Sequence, residues 1–104
     1  VMMTEEQIKK SQYIVDKLDK ALADDQYYEG AWYTRYGRNK IEFSASVKQV
    51  PRYKYVSCEI TLDDLNDLDS IVEQLINDWK QSTSPEDIKK FEKFITFGEK
   101  YGWD

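Results

Sequence analysis

The residues of this sequence best suited to chemistry are carboxylates. Asp63, Asp64, Asp67 and Asp69 crowd into one short stretch. Such a cluster can hold a divalent cation, supply two carboxyls for acid–base work, or face a cationic partner. A calcium-type loop uses a glycine for its sharp turn, and none stands between Thr61 and Ser70. No spacing within the cluster selects a catalytic pair. Two readings are left: acids at a helix start, where the helix dipole favours them, or a negative surface turned toward a partner.

The groups that usually complete an active site are missing from the sequence. There is no histidine, which removes the commonest general base, metal ligand and activator of a nucleophile. The one cysteine, Cys58, falls at an inward position of an alternating segment and reads as a small core residue. No phosphate-binding glycine loop, dinucleotide fingerprint or zinc-spaced cysteine cluster occurs. The expectation is a protein that is not an enzyme and carries no cofactor and no metal.

Composition bounds the rest. The chain has 104 residues, 40% hydrophobic and 34% charged, a globular balance of a size for one core, so residues 1–104 are expected to form a single domain. Residues 1–3 are set aside as a start-site remnant. No apolar run reaches the length that crosses a bilayer, and Thr4-Glu5-Glu6-Gln7 opens a helix where a signal peptide would be basic and then apolar. With a lone cysteine, the expected location is the reducing cytoplasm.

Periodicity supplies the elements. Thr4 and Gln7 make a capping box for a helix over residues 4–23, with Ile8, Ser11, Ile14, Val15, Leu18, Ala21 and Leu22 on its apolar face. From residue 31 the period becomes two. Trp32–Tyr36 is aromatic, Ile41, Phe43, Ala45 and Val47 alternate with polar residues, and Val56, Cys58 and Ile60 do the same. Leu65, Leu68, Val72, Leu75, Ile76 and Trp79 return to helical spacing. Ser84-Pro85-Glu86-Asp87 starts a last helix, with Ile88, Phe91, Phe94 and Ile95 as its apolar face and Gly98 and Gly102 at its end. The expected fold is α+β, in the order α-β-β-β-α-α, with a three-stranded antiparallel meander packed on helices.

Register follows from matching apolar rows. A four-residue turn at 49–52 sets Ala45 against Val56, Phe43 against Cys58 and Ile41 against Ile60. A two-residue turn at Arg38-Asn39 sets Tyr36 against Ile41, Thr34 against Phe43 and Trp32 against Ala45, and leaves Arg35 opposite Glu42 to offset the adjacent Glu59. Tyr33, Arg35, Lys40, Ser44, Ser46, Lys48, Tyr53 and Tyr55 then share the open face.

Charge is uneven. Net charge is −5 over the chain; residues 26–58 hold six basic and two acidic side chains, net +4, whereas residues 59–104 hold five and twelve, net −7. Two surfaces compete. The sheet face, through Tyr33, Arg35, Lys48, Tyr53 and Tyr55, has the mixture of aromatics and bases that stacks and tracks single-stranded nucleic acid, although the overall negative charge opposes a polyanion. The acidic segment, Asp63, Asp64, Asp67 and Asp69, suits a basic surface on another protein.

The helix, three strands, helix order resembles the double-stranded RNA-binding domain, but that family needs a basic helix start where this chain has Asp63-Asp64-Leu65-Asn66-Asp67-Leu68-Asp69. It also resembles small phage anti-CRISPR proteins that block Cas9 by DNA mimicry. The local likeness lies in Ser70-Ile71-Val72-Glu73, running through Trp79 to the acid-flanked Ser84-Pro85-Glu86-Asp87. The basic turn Gly37-Arg38-Asn39-Lys40 departs from it. The resemblance implies a phage or mobile-element inhibitor or regulator that acts on a basic, nucleic-acid-binding host protein. A homodimer formed through edge strands, as a structural accessory protein, is the third expectation.

Overall fold

The computed structural model describes residues 3–48 and 55–90. Its architecture is α+β, in the order α1 (Glu5–Ala21), β1 (Tyr28–Tyr36), β2 (Lys40–Val47), β3 (Tyr55–Thr61), a 3-10 turn (Leu62–Asp64) and α2 (Leu68–Ser82). Residues 85–90 then begin a third helix. The continuation expected through Phe91, Phe94 and Ile95 lies outside the described residues, as do the turn at 49–52 and Tyr53.

Local chemistry sets the helix starts. The Gln7 N–H donates to Thr4 Oγ1 at 3.1 Å and the Thr4 N–H to Gln7 Oε1 at 3.0 Å, the reciprocal capping box. Asp67 caps α2 by accepting the Ser70 N–H. Ser84 Oγ accepts the Asp87 N–H at 3.4 Å, and the Ile88 N–H donates to the Ser84 carbonyl at 2.9 Å. The apolar stripe of α1 is buried at Ser11, Ile14, Val15 and Leu18. Burial within α1 begins at Ser11, and Ile8, which shares the spacing, is 43% exposed; Ala21 is exposed as well, whereas Met3, set aside with residues 1 and 2 in the sequence reading, packs partly buried against the core.

The strands form one sheet, in the order β1-β2-β3, antiparallel throughout. Both helices contribute to the core that covers one face of it. Ile14, Val15 and Leu18 of α1 and Ile71, Val72, Leu75 and Trp79 of α2 join Ile41, Phe43, Ala45 and Val47 of β2 in one buried cluster. Tyr28 meets Trp79 edge to face, ring centroids 5.4 Å apart, the arrangement favoured by aromatic quadrupoles. The Tyr28 phenol donates to Asp19 Oδ1 at 2.5 Å.

The second hairpin has the expected register: Ile41 faces Ile60, Phe43 faces Cys58 and Ala45 faces Val56. The first hairpin corrects the expectation. Tyr36 pairs with Lys40, Arg35 with Ile41, Tyr33 with Phe43 and Ala31 with Ala45, so three residues, Gly37-Arg38-Asn39, make the turn. A two-residue turn of the type that suits strand twist needs positive φ at both central positions, which Arg38 resists. Gly37 takes it instead, at φ +62°. The one-residue difference turns β1 over. Tyr33 and Arg35 lie on the helix-covered side, and Trp32, Thr34 and Tyr36 on the open side. Glu42 does stand beside Glu59, but Lys40 offsets the pair, its Nζ 3.5 Å from Glu59 Oε2.

Two predictions follow from these contacts. Nothing crowds the position of an added Cβ at Gly37, so Gly37→Ala should lose only the backbone preference, about 1 kcal/mol in urea unfolding with the fold unchanged. Burial first, then the hydrogen bond and charge of Asp19, hold the Tyr28 phenol above its ordinary value near 10. The neutral phenol is therefore favoured by folding; its contribution is whole below pH 10 and is lost as pH rises through the folded value. Alkaline titration at the phenolate absorbance should show one tyrosine that resists ionisation until the protein unfolds, and Tyr28→Phe should remove it.

Candidate protein-interaction surface

The four clustered acids are exposed but do not act as one group. The Leu62–Asp64 turn carries Asp63 and Asp64, and hydrogen bonds that use their backbone carbonyls fold the chain back toward α2: the Asn66 amide donates to the Asp63 carbonyl at 2.7 Å and the Asn66 N–H to that of Asp64 at 2.9 Å. Their carboxylates make no hydrogen bond or ion pair among the described residues. Asp67 serves as the α2 cap. Asp69 accepts the Tyr13 phenol at 2.8 Å, which ties α1 to α2, and this bond, more than burial or charge, raises the Tyr13 pKa above its ordinary value.

Asp64 and Asp67 line an open recess of about 390 Å³ with Glu59, Ile60 and Thr61 of β3 and Ile71 and Gln74 of α2. Glu59 is the link that sequence reasoning missed. It stands on the open face of the sheet, next to Glu42, and also on the wall of this recess. The acidic surface is therefore Glu42, Glu59, Asp64 and Asp67, with Asp63 next to Asp64 in the turn; Lys40 pairs with Glu59, and Lys10 donates to the Leu65 carbonyl at 3.1 Å between Asp64 and Asp67. The signal in the sequence was the Glu42–Glu59 adjacency, an unfavourable cross-strand pair unless something cationic sits over it.

The alternative sheet platform is redistributed by the register. Of its expected members, Tyr55 is on the open face, 45% exposed, with its ring centroid 6.0 Å from that of Trp32. Tyr33 packs toward Phe43 on the covered side. Arg35 folds over the first hairpin turn, donating to the Lys40 carbonyl at 2.8 Å and to the carbonyl of Arg38. Lys48 is exposed just past β2, where its N–H donates to the Tyr27 carbonyl, and Tyr53 lies outside the described residues. Trp32 and Tyr36, 40% and 51% exposed, occupy the face instead, each across from a small or polar residue, Ser44 and Lys40.

Cys58 is half-buried under the sheet. Burial, followed by the charges of Asp78 and Glu59, pushes its thiol above the ordinary value, the opposite of what an activated nucleophile needs. Among the described residues no group of three or more cysteine, aspartate or glutamate side chains converges to hold a metal ion, and no helix is long and apolar enough to cross a membrane. Comparison with protein families, with curated proteins and with solved structures finds no match.

The division among the acids is measurable. Asp67→Ala removes a cap and should destabilise by about 1 kcal/mol, whereas Asp63→Asn and Asp64→Asn should stay within about 0.5 kcal/mol of the parent in urea unfolding. Cys58 should react with a thiol-specific disulfide reagent at pH 8 several-fold more slowly than the same cysteine in the unfolded chain.

Proposed function

We propose that this chain is a non-catalytic interaction domain that engages a basic surface of another protein through the acidic surface of Glu42, Glu59, Asp63, Asp64 and Asp67. The observation that carries the reading is the run of these carboxylates from the open sheet face to the start of α2, where they outnumber the cations beside them among the described residues, Lys40 at Glu59 and Lys10 at the Leu65 carbonyl. Lys40 pairs with Glu59 and leaves Glu42 beside it to accept a partner's arginine or lysine. Exposed Trp32, Tyr36 and Tyr55 beside them supply the aromatic contacts that concentrate binding energy and stack on guanidinium groups.

The same features weigh against single-stranded nucleic acid. Arg35 and Tyr33 are withdrawn from the face, and two carboxylates occupy its middle, where a phosphate chain would run. A basic, nucleic-acid-binding protein is the partner that such a surface suits, as for an inhibitor or regulator that presents carboxylates in place of phosphates.

The test uses oligoarginine as the probe, titrated calorimetrically into the full chain at low salt. Charge reversal at Asp63 and Asp64 together should weaken binding about tenfold or more. Reversal of Asp16 and Asp24, exposed acids of the α1 region, changes net charge equally and should have a much smaller effect. Equal losses from both pairs would reduce the interaction to net charge and remove the assigned surface.

A further inference from the structure

Among the described residues the acidic surface borders the free edge of β3, and we infer that this edge takes an extended basic segment of a partner protein, which adds to β3 as a fourth strand. The inference rests on the proposed function and specifies how its surface is engaged.

Two recesses border β3, one toward each end, and between them a narrow cleft leads from the strand into the core. The recess of about 390 Å³ lies beside residues 59–61 and a second, of about 470 Å³, beside residues 55–57; the cleft between them, about 20 Å³, reaches Leu18, Phe43 and Trp79 of the core. The opposite wall is one face of α2: Asp67, Ile71, Gln74, Asp78 and Ser82 line the openings in turn, at the three- and four-residue spacing of a single helix face. Among the described residues the edge of β3 therefore has a recess toward each end, with α2 standing across from it.

The ladder phase says which backbone groups of β3 point to its free edge. The Leu62 N–H donates to the Asn39 carbonyl at 2.7 Å, on the register line that pairs Ile60 with Ile41. Hydrogen-bonded pairs alternate in an antiparallel ladder, so Val56, Cys58 and Ile60 direct their backbone groups to β2. Ser57 and Glu59 direct theirs to the free edge. The inward side chains tell the same story. Ile41, Phe43 and Ala45 of the middle strand are buried, while Val56, Cys58 and Ile60 on β3 are only partly covered.

Charge fixes the occupant. Glu59, Asp64, Asp67, Asp78 and Asp87 line the openings, and Lys90 at the far end is already within 3.8 Å of Asp87. A strand laid here would place alternate side chains beside Glu59 on the open face and over the partly covered apolar row beneath. The partner segment is thus extended, with basic residues alternating with β-branched apolar ones. A second copy of this chain would bring one acidic edge to another.

The test titrates a capped peptide alternating arginine and valine, as long as β3 (seven residues), into the isotopically labelled full chain. Binding should perturb the amide resonances of β3 and α2 and slow hydrogen exchange at Ser57 and Glu59. Two further peptides carry N-methyl groups at the arginines or at the valines. Edge pairing predicts that one pattern abolishes binding and the other does not. Ser57→Pro removes an outward donor and spares the ladder to β2, and should weaken the unmethylated peptide at least tenfold. If that variant fails to fold, the methylated pair makes the same test on the parent chain.

The inference is overturned if the arginine–valine peptide does not bind at millimolar concentration or if both methylated forms bind alike. It also fails if Ser57→Pro, folded, binds as the parent does. In each case oligoarginine binding that still depends on Asp63 and Asp64 leaves the acidic-surface reading standing. Protection of the Ser57 and Glu59 amides without peptide would give the edge to this chain itself if monomeric, or to a second copy if dimeric, and either result overturns it.

Discussion

The inner row of β2, Ile41, Phe43, Ala45 and Val47, is buried beneath two helices, and only one strand of a three-stranded sheet can be covered in this way while also being paired on both edges. A side chain such as Phe43 contributes roughly 2 kcal/mol when it leaves water, so α1 and α2 converge on β2 and its flanks. Tyr28 and Trp79 close the core at one end of this arrangement, and Leu65 packs into it from the chain entering α2. The outer strands are covered unequally: β1 has α1 against it and β3 has α2, and the apolar row of β3 is only partly covered among the described residues.

That uneven coverage leaves the edge of β3 open to the proposed partner. A sheet edge with unpaired backbone groups is a hazard in a soluble domain, and charged residues along it keep indiscriminate pairing in check. Here the edge is flanked by carboxylates: Glu59 on the strand, and Asp64, Asp67 and Asp78 on the segments that face it. The same charges that repel another copy of an acidic edge would select a basic segment. Protection and the proposed recognition would thus draw on one set of residues, while burial, more than the charges of Asp78 and Glu59, raises the pKa of the Cys58 thiol beneath them.

The acids also show how position divides residues of one type. Asp67 and Asp69 hold α2 in place, one through its first backbone donors and the other through the Tyr13 phenol. Asp63 and Asp64, on the preceding turn, use backbone carbonyls for structure and keep their carboxylates in water. A charge-rich segment of this kind sets a helix start and presents a surface at once, because capping needs only some of its oxygens.

What the sequence by itself determined was whatever depends on near neighbours. The capping box at Thr4, the Ser84-Pro85 start, the periods of α1, α2 and the strands, and the register of the second hairpin all follow from residues a few positions apart or from one matching of apolar rows. The first hairpin was equally local, and its signal was present in Gly37, which takes positive φ more readily than Arg38; apolar matching alone was satisfied by the wrong turn length, because β1 is aromatic on both faces. Other features were decided by tertiary structure alone. Ile8 has the spacing of a core residue, yet burial within α1 begins a turn later. Glu59 and Asp64 are joined into one surface only because the 3-10 turn brings α2 back along β3. Burial on a sheet and exposure along its edge are set by where distant elements come to rest, and a two-residue period carries no record of which helix will cover which strand.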